Sequence, residues 1–289
     1  MERSDKGRRI EVFHIADDAG AFQMENPPLQ RVLIDLQYPL SPRLIMPEGL
    51  AELQDCLRED FPVMRPMGAP TFTISFGPSP APNEPALMAR YQFANEAGFD
   101  VQMGATNATI SIPGSSYKER IQLAALLERV AASVGQVGRM SQYDRIGVRY
   151  INAAPATPAE WVRWFKPEFT GWTESGIVDE RAQRVAMLIT QLSMPNADVV
   201  TGATIRHGYL PQGLGSDLTA SAAATEPSFL LDIDMATDKP APFDPQGISA
   251  IFRVINREIA QYLRYTFTAE GETQFGVQAL EPLKQEEPT

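Results

Sequence analysis

The sequence predicts an α+β protein, built from a duplicated β-α-β(3-4)-α unit that forms a curved antiparallel sheet with long helices on one face. Segments in which apolar and polar residues alternate predict strands, and two long segments with apolar residues at helical spacing predict helices. The order strand, helix, several strands, helix occurs before residue 142 and again after residue 143. A sheet of this kind has one apolar face to bury, so we expect the helices to cover that face.

The first half is predicted over residues 28–142, after a loosely attached arm over residues 1–27. Its first strand is indicated by alternation of apolar and polar residues, and its first helix by apolar residues at helical spacing that end at Pro62. The predicted elements are a strand at 32–38, a helix at 48–61, strands at 71–76, 87–93, 99–103 and 108–112, and a helix that starts at a capping box of Ser116 and Glu119.

A proline-rich loop is predicted over residues 77–85. Such a composition favours extended polyproline geometry. We interpret the loop as a stiff surface connection. A ligand for a proline-reading domain is the alternative.

The second half is predicted over residues 143–276 and begins with a strand at 145–152, near the midpoint of the chain. Successive side chains of a strand point to opposite faces, so Ile146, Val148 and Tyr150 are expected to face the core. Because no flexible linker precedes this strand, we expect the two halves to share one continuous sheet.

Two helices of the second half begin at a capping residue that proline follows. A charged, flexible tail is expected over residues 277–289. The remaining elements, in order, are a helix that starts at Thr157, strands at 185–193, 199–210 and 229–235, and a long helix that starts at Asp244.

Composition excludes several classes of function. A net charge of −11 repels a phosphate backbone, so nucleic acid is not an expected partner. No apolar run is long enough to span a bilayer, and the first nine residues lack the apolar core of a signal peptide, so no membrane attachment is expected. The single cysteine, Cys56, fits a reducing compartment, and we predict a cytoplasmic protein.

The search for catalytic signatures finds few candidates. The chain has two histidines, His14 and His207, and neither lies near a serine, cysteine or acidic motif that would make it a general base. There is no zinc spacing, no Walker loop and no dinucleotide fingerprint, since the glycines at 213 and 215 have the wrong spacing. We therefore predict no catalytic residue, no cofactor and no metal.

One group of polar residues is a candidate polar ligand face. Arg145 and Arg149 share one side of the strand at 145–152, and Asp232 and Asp234 share one side of the strand at 229–235. A cross-strand ladder of arginine and aspartate would satisfy all four without a ligand. A site for an anionic or polar ligand is the first alternative. A divalent metal held by the two carboxylates is the second.

Four segments together resemble a sporadically distributed family of bacterial proteins of unknown function. The chain departs from that family where a Tyr-Pro-x-x-Trp-like segment would precede the middle helix, because residues 115–119 read Ser-Ser-Tyr-Lys-Glu. The resemblance implies no activity. It implies an accessory role, in genome conflict or in a toxin pair. The segments are Asn26-Pro27-Pro28-Leu29, Tyr91-Gln92-Phe93 with Gln102 and Gly104, the octet Arg-Ile-Gly-Val-Arg-Tyr-Ile-Asn at 145–152, and Phe-Leu-Leu-Asp-Ile-Asp at 229–234.

Three classes of function stay open. The first is a non-catalytic protein-binding or regulatory protein, which would use a sheet edge, the proline-rich loop or the exposed sheet face. A homodimer is compatible with the same features. The second is a small-molecule carrier of the helix-grip kind, and the third is an enzyme that uses the Arg/Asp face. In the carrier, a cavity would be lined by Met88, Met103, Met187 and Met235.

Overall fold

The computed structural model of this chain describes residues 22–67, 89–117, 120–171, 186–194, 197–212 and 226–279. Over these residues the protein is α+β with a large antiparallel sheet, as predicted. The helices are α1 Pro47–Leu57, α2 Arg120–Gly138, α3 Pro158–Trp164, α4 Pro167–Thr170, α5 Pro245–Thr266 and α6 Ala269–Gln274. The strands are β1 Phe22–Met24, β2 Leu29–Gln37, β3 Val63–Met67, β4 Arg90–Ala94, β5 Asp100–Met103, β6 Asn107–Pro113, β7 Gln142–Tyr143, β8 Arg145–Pro155, β9 Ala186–Ser193, β10 Gly202–Leu210, β11 Ser228–Thr237, β12 Ala241–Pro242 and β13 Val277–Ala279.

Nine of the thirteen described strands form one sheet in the order β3-β4-β5-β6-β2-β8-β11-β10-β9, and the other four form two separate pairs, β1 with β13 and β7 with β12. Every neighbouring pair is antiparallel. Strands β2 and β8 lie side by side in the middle, with Ile34 opposite Val148. The predicted continuous sheet is therefore present, because the two central strands are hydrogen-bonded directly to each other.

One face of this sheet carries the main core. Ile34 and Leu36 of β2, and Ile146 and Val148 of β8, are each no more than 1% exposed. They alternate with polar side chains of the same strands, which follows from the two-residue repeat of a strand. The prediction that Ile146, Val148 and Tyr150 of β8 face the core is confirmed.

Helices α3 and α5 begin where the sequence predicted, after Thr157 and Asp244. The Thr157 backbone N–H donates to Glu160 Oε2 at 2.8 Å, and Asp244 accepts from two backbone N–H groups of the first turn of α5. Helix α5 packs against α2 and contacts β8 and β11. Among the helices of the described residues, none is long and apolar enough to cross a membrane.

Strand β3 was not predicted. Its sequence, Val-Met-Arg-Pro-Met, contains Pro66 and does not alternate, but it pairs with β4 at one edge of the sheet. Proline is tolerated on an edge strand because the outer side needs no ladder hydrogen bond. The predicted strand at 71–76, the proline-rich loop at 77–85 and the capping residue Glu119 lie outside the described residues.

The arm and the tail meet each other. Strand β1, at the end of the predicted arm, pairs antiparallel with β13, at the start of the predicted tail. The Glu25 N–H also donates to the Gly276 carbonyl at 3.2 Å. Residues 22–25 and 276–279 are therefore joined by backbone hydrogen bonds, which the charge-based expectation of a loose arm and a flexible tail did not anticipate.

Candidate functional site

The four predicted site residues lie together on one face of the central strands, which we call the polar face. Arg145 and Arg149 of β8 and Asp232 and Asp234 of β11 point away from the core side chains of the same strands. Arg149 is directly opposite Asp234 in the register of β8 and β11. The side-chain hydrogen bonds of Arg149, however, go to Asp232, which lies diagonally across from it in this register.

Asp232 is the centre of the strongest interaction on the polar face. Its side chain is fully buried, and its two carboxylate oxygens accept from Arg149 Nε at 2.8 Å and Arg149 Nη2 at 2.7 Å. Arg206 of β10 donates from Nη1 to Asp232 Oδ2 at 3.1 Å. A carboxylate that accepts three hydrogen bonds from guanidinium groups keeps little capacity to bind a further ligand.

Arg206 is a member of this group that the sequence reasoning missed. It is directly opposite Asp232 in the register of β10 and β11. The alternation of Thr204, Arg206 and Gly208 places all three on the polar face. That pattern was visible in the sequence, but the pairing of β10 with β11 was needed to connect it to Asp232.

Arg149 stays charged. Burial by itself lowers the pKa of its guanidinium, but the hydrogen bonds that it donates to Asp232 and the negative charges of Asp232 and Asp234 outweigh burial and raise the pKa above its usual range. Its side chain is 23% exposed. Arg149 is thus a structural cation and not a proton donor at any physiological pH.

Arg145 lies across its own strand, over Gly147. A Cβ placed on Gly147 would come within 2.3 Å of Arg145 Nη1. From this position Arg145 Nε is 3.0 Å from Asp238 Oδ1, and its terminal nitrogens are 3.6 Å from Asp35 and 3.7 Å from Asp234. The glycine therefore lets one guanidinium interact with three carboxylates, Asp35 of β2, Asp234 of β11 and Asp238 directly after β11.

Asp234 is the least satisfied of the four predicted residues. Its contact with Arg145, at 3.7 Å, is too long for a hydrogen bond. Burial raises the pKa of its carboxyl, the charges of Arg145 and Arg149 lower it, and the net direction is upward. Asp234 therefore retains the capacity to hold a proton or accept a hydrogen bond.

Asp35 of β2 extends the polar face toward β6. It accepts from Thr109 Oγ1 at 2.8 Å and from Asn107 Nδ2 at 3.0 Å on one oxygen, and from Gln37 Nε2 at 2.8 Å on the other. These residues were not predicted as part of the site. Each lies on the polar side of its strand, but only the register of β2 with β6 brings them together.

The same face also has an apolar part. Ile151, Leu210 and Leu230 form a small buried cluster there, with Leu33 and Met187 packed against it. Arg31 lies near this part, where its Nη1 donates to Ser111 at 2.6 Å and its Nε is buried without a partner. The polar face is therefore charged toward one end of the strands and apolar toward the other.

The methionines proposed to line a cavity are separated by the fold. Met103 and Met235 are fully buried in the main core, whereas Met187 lies on the opposite face beside Ile151. Met88 lies outside the described residues. Met187 therefore does not share a cavity with Met103 and Met235, because it lies on the other face of the sheet.

Two open grooves lie beside α2 in the described part of the chain. One groove of about 370 Å³ lies beside α2 and is lined by Asp60, Tyr117 and Arg129, among others. Arg129 is held there by two hydrogen bonds of 2.8 Å to Asp60. Within the described residues, no cluster of three or more His, Cys, Asp or Glu side chains could hold a metal ion.

His207 is a packed residue of β10. Its ring is buried against Phe169, and Nδ1 is 3.1 Å from the Phe169 carbonyl oxygen, so this nitrogen carries the proton and donates. Burial lowers the pKa of the ring, and the bond to the carbonyl opposes that effect only in part. His14 lies outside the described residues.

The two edges of the nine-stranded sheet differ. At one edge β3 exposes Arg65 and Pro66, which are residues that discourage further pairing. At the other edge β9 has the sequence Ala-Met-Leu-Ile-Thr-Gln-Leu-Ser, without charge or proline, and Leu188 and Ile189 are 46% and 50% exposed. Among the described residues no strand pairs with the outer side of β9.

Comparison of this chain with protein-family models and with curated proteins gives no match.

Proposed function

We propose that this chain is a non-catalytic protein-binding protein of the regulatory or accessory kind, which accepts a polypeptide strand at the outer edge of β9. The observation that supports the proposal is the uncharged edge strand with two exposed apolar side chains. An open edge of this kind presents unpaired backbone N–H and C=O groups, and an added strand satisfies them.

The arrangement of the polar face supports a non-catalytic function. Asp232, Arg149 and Arg206 satisfy one another, and Asp35 is saturated by three neighbours. A catalytic acid or base needs a free donor or acceptor within reach of a substrate. On this face the charged side chains of the central strands are mostly committed to holding the strands together.

We infer that the sheet is built from two similar units, over residues 28–142 and 143–276, with the helices on one face. The strand order supports this duplication, because β6, β5 and β4 follow β2 on one side as β11, β10 and β9 follow β8 on the other. In that correspondence β9 is the equivalent of β4.

The protein-binding proposal is tested by hydrogen exchange of the β9 amides with and without co-purified polypeptide. The matched variants are Leu188→Lys on β9 and Val63→Lys on β3, since both residues are exposed on an edge strand. We expect binding to protect the β9 amides and to be lost in the Leu188 variant alone. Protection elsewhere, with equal binding by both variants, would overturn the proposal.

A second candidate function is binding or turnover of a polar small molecule on the polar face. The observation that favours it is Asp234, whose carboxyl has a raised pKa and only a 3.7 Å ion pair. Retention of a small molecule by the wild type and its loss in Asp234→Asn, measured by native mass spectrometry, would favour this candidate. The single cysteine leads us to propose the cytoplasm as the location for either function.

A further inference from the structure

We infer that the polypeptide at the edge of β9 is a second copy of this chain, so that two β9 strands pair antiparallel about a two-fold axis and join two nine-stranded sheets into one. This inference rests on the proposed function, because it names the occupant of the same edge. Three properties of the described edge strands support it, and they concern charge, side-chain match and closure of the assembly.

Charge permits the pairing at β9. The chain carries a net charge of −11, so two copies repel each other over most of their surface. Strand β9 has no charged residue, and an antiparallel pair of β9 strands therefore places no like charges opposite each other. The edge at β3 differs, because a two-fold pair there would bring each exposed Arg65 close to its copy.

The exposed side chains of β9 can cover one another. Residues directly opposite in an antiparallel pair point to the same face of the sheet. With Leu188 on the two-fold axis, Leu188 meets the partner's Leu188 on one face, and Met187 meets the partner's Ile189 on the other. The two most exposed apolar residues of the strand would then both be covered by the same contact.

The different edges also stop the assembly at two chains. A head-to-tail contact, from β9 of one copy to β3 of the next, would leave a free edge at each end and continue without limit. Pro66 has no N–H to offer an incoming strand, and Arg65 adds an exposed charge on the same edge. The contact between two β9 strands uses, on each copy, the edge that no other described strand occupies, and it is closed.

The contact is small. Eight residues span about 26 Å at roughly 3.3 Å per residue, and interfaces of one strand pair are at the weak end of specific association. We therefore expect a monomer–dimer equilibrium that depends on concentration rather than a permanent dimer.

The experiment is sedimentation velocity of the full chain at concentrations up to about 200 μM, where weak dimers are populated. The wild type is expected to shift from 31.9 kDa toward twice that mass as concentration rises. Leu188→Lys is expected to weaken the dimer at least tenfold, and Val63→Lys, on the other edge, to leave it unchanged. Circular dichroism spectra equal to the wild type establish that both variants fold.

The geometry of the pair is tested with single cysteines in a Cys56→Ser background, which removes the exposed native thiol. In an antiparallel pair related by a two-fold axis, the residue on the axis lies opposite its own copy. A cysteine at that position forms a disulfide with its copy most readily, so we compare cysteine at 188, 189 and 190. Disulfide-linked dimer at one of these positions, highest at 188, supports antiparallel self-pairing. A cross-link at Val63→Cys instead would overturn it.

Failure of this inference is distinguishable from failure of the proposed function. A wild type that remains at 31.9 kDa throughout, with β9 amides that exchange equally fast at all concentrations, overturns the second copy as occupant. If the same amides become protected by a different co-purified polypeptide, strand binding at β9 stands with another partner. If nothing protects them, both proposals fail.

Discussion

Replacing Asp232 by asparagine is expected to destabilise the protein far more than the same replacement of Asp234, two positions along β11. Asp232 accepts three charged hydrogen bonds, of 2.7 to 3.1 Å, from Arg149 and Arg206. Asparagine has one oxygen to accept them and places an amide N–H₂ against a guanidinium. Two cations then lose their carboxylate, although the overall shape of the side chain is kept.

The expected loss of stability in Asp232→Asn is estimated from the burial of the ion pair that the replacement removes. Removal of one partner of a buried ion pair costs about 3–5 kcal/mol. Asp232 is fully buried, but the side chains of Arg149 and Arg206 are 23% and 26% exposed, so water can solvate them in part. We therefore expect the lower end, about 3 kcal/mol. For a chain of 289 residues this corresponds to a fall in Tm of roughly 5 °C.

Asp234→Asn is the matched control. The ion pair of Asp234 with Arg145 is long and partly exposed, so its loss costs at most about 1 kcal/mol. Because the folded-state pKa of Asp234 is raised, the folded protein binds this proton more tightly than the unfolded chain. Its contribution to stability is therefore present below about pH 4 and is lost as the pH rises through the folded pKa.

The assay is urea unfolding followed by circular dichroism, at several pH values. We expect Asp232→Asn to be destabilised at neutral pH and Asp234→Asn to be near the wild type or slightly more stable there. Equal losses in the two variants, or no loss in Asp232→Asn, would refute the reasoning. Either result would mean that burial and hydrogen bonding do not decide which of these carboxylates holds the strands together.

Three further predictions concern packing and proton binding. Gly147→Ala should displace Arg145, which lies over it, and lower the free energy of unfolding by about 1 kcal/mol. The control is Gly171→Ala, whose Cβ would meet nothing within 4 Å. Equal stability of the two variants in urea would contradict this prediction. The wild type should lose stability as the pH falls from about 6.5, because the lowered pKa of His207 keeps its ring neutral in the folded protein while the unfolded chain takes up a proton. His207→Asn should lack this dependence on pH when unfolding is measured between about pH 7.5 and 5. Tyr150→Phe should cost about 1–2 kcal/mol, because its hydroxyl donates to buried Asn256. A double-mutant cycle with Asn256→Leu should show strong coupling, and simple additivity would contradict the hydrogen bond.

Local pattern in the sequence determined the class of the fold and much of its core. The two-residue repeat of β8 identified which of its side chains face the main core, because successive side chains of a strand point to opposite faces. The capping residues Thr157 and Asp244 identified two helix starts, because the first backbone N–H groups of a helix need an acceptor nearby in sequence.

Tertiary structure alone decided how the polar residues interact. The sequence predicted that Arg145, Arg149, Asp232 and Asp234 share one face. If only directly opposite residues interacted, Arg149 would bind Asp234. Long guanidinium side chains reach diagonally, so Arg149 binds Asp232 instead, and Gly147 lets Arg145 lie down between three carboxylates. Such contacts depend on register and rotamer, which no short-range pattern contains.

The edges of the sheet show the same division. The uncharged composition of β9 and the proline at position 66 of β3 are properties that the sequence states. The exposure of Leu188 and Ile189 comes from the structure. That β9 and β3 are the two edges, and that β1 joins β13, follows only from strand order. Strand order is set by contacts between residues far apart in the chain, and local periodicity does not show which of these contacts are favourable.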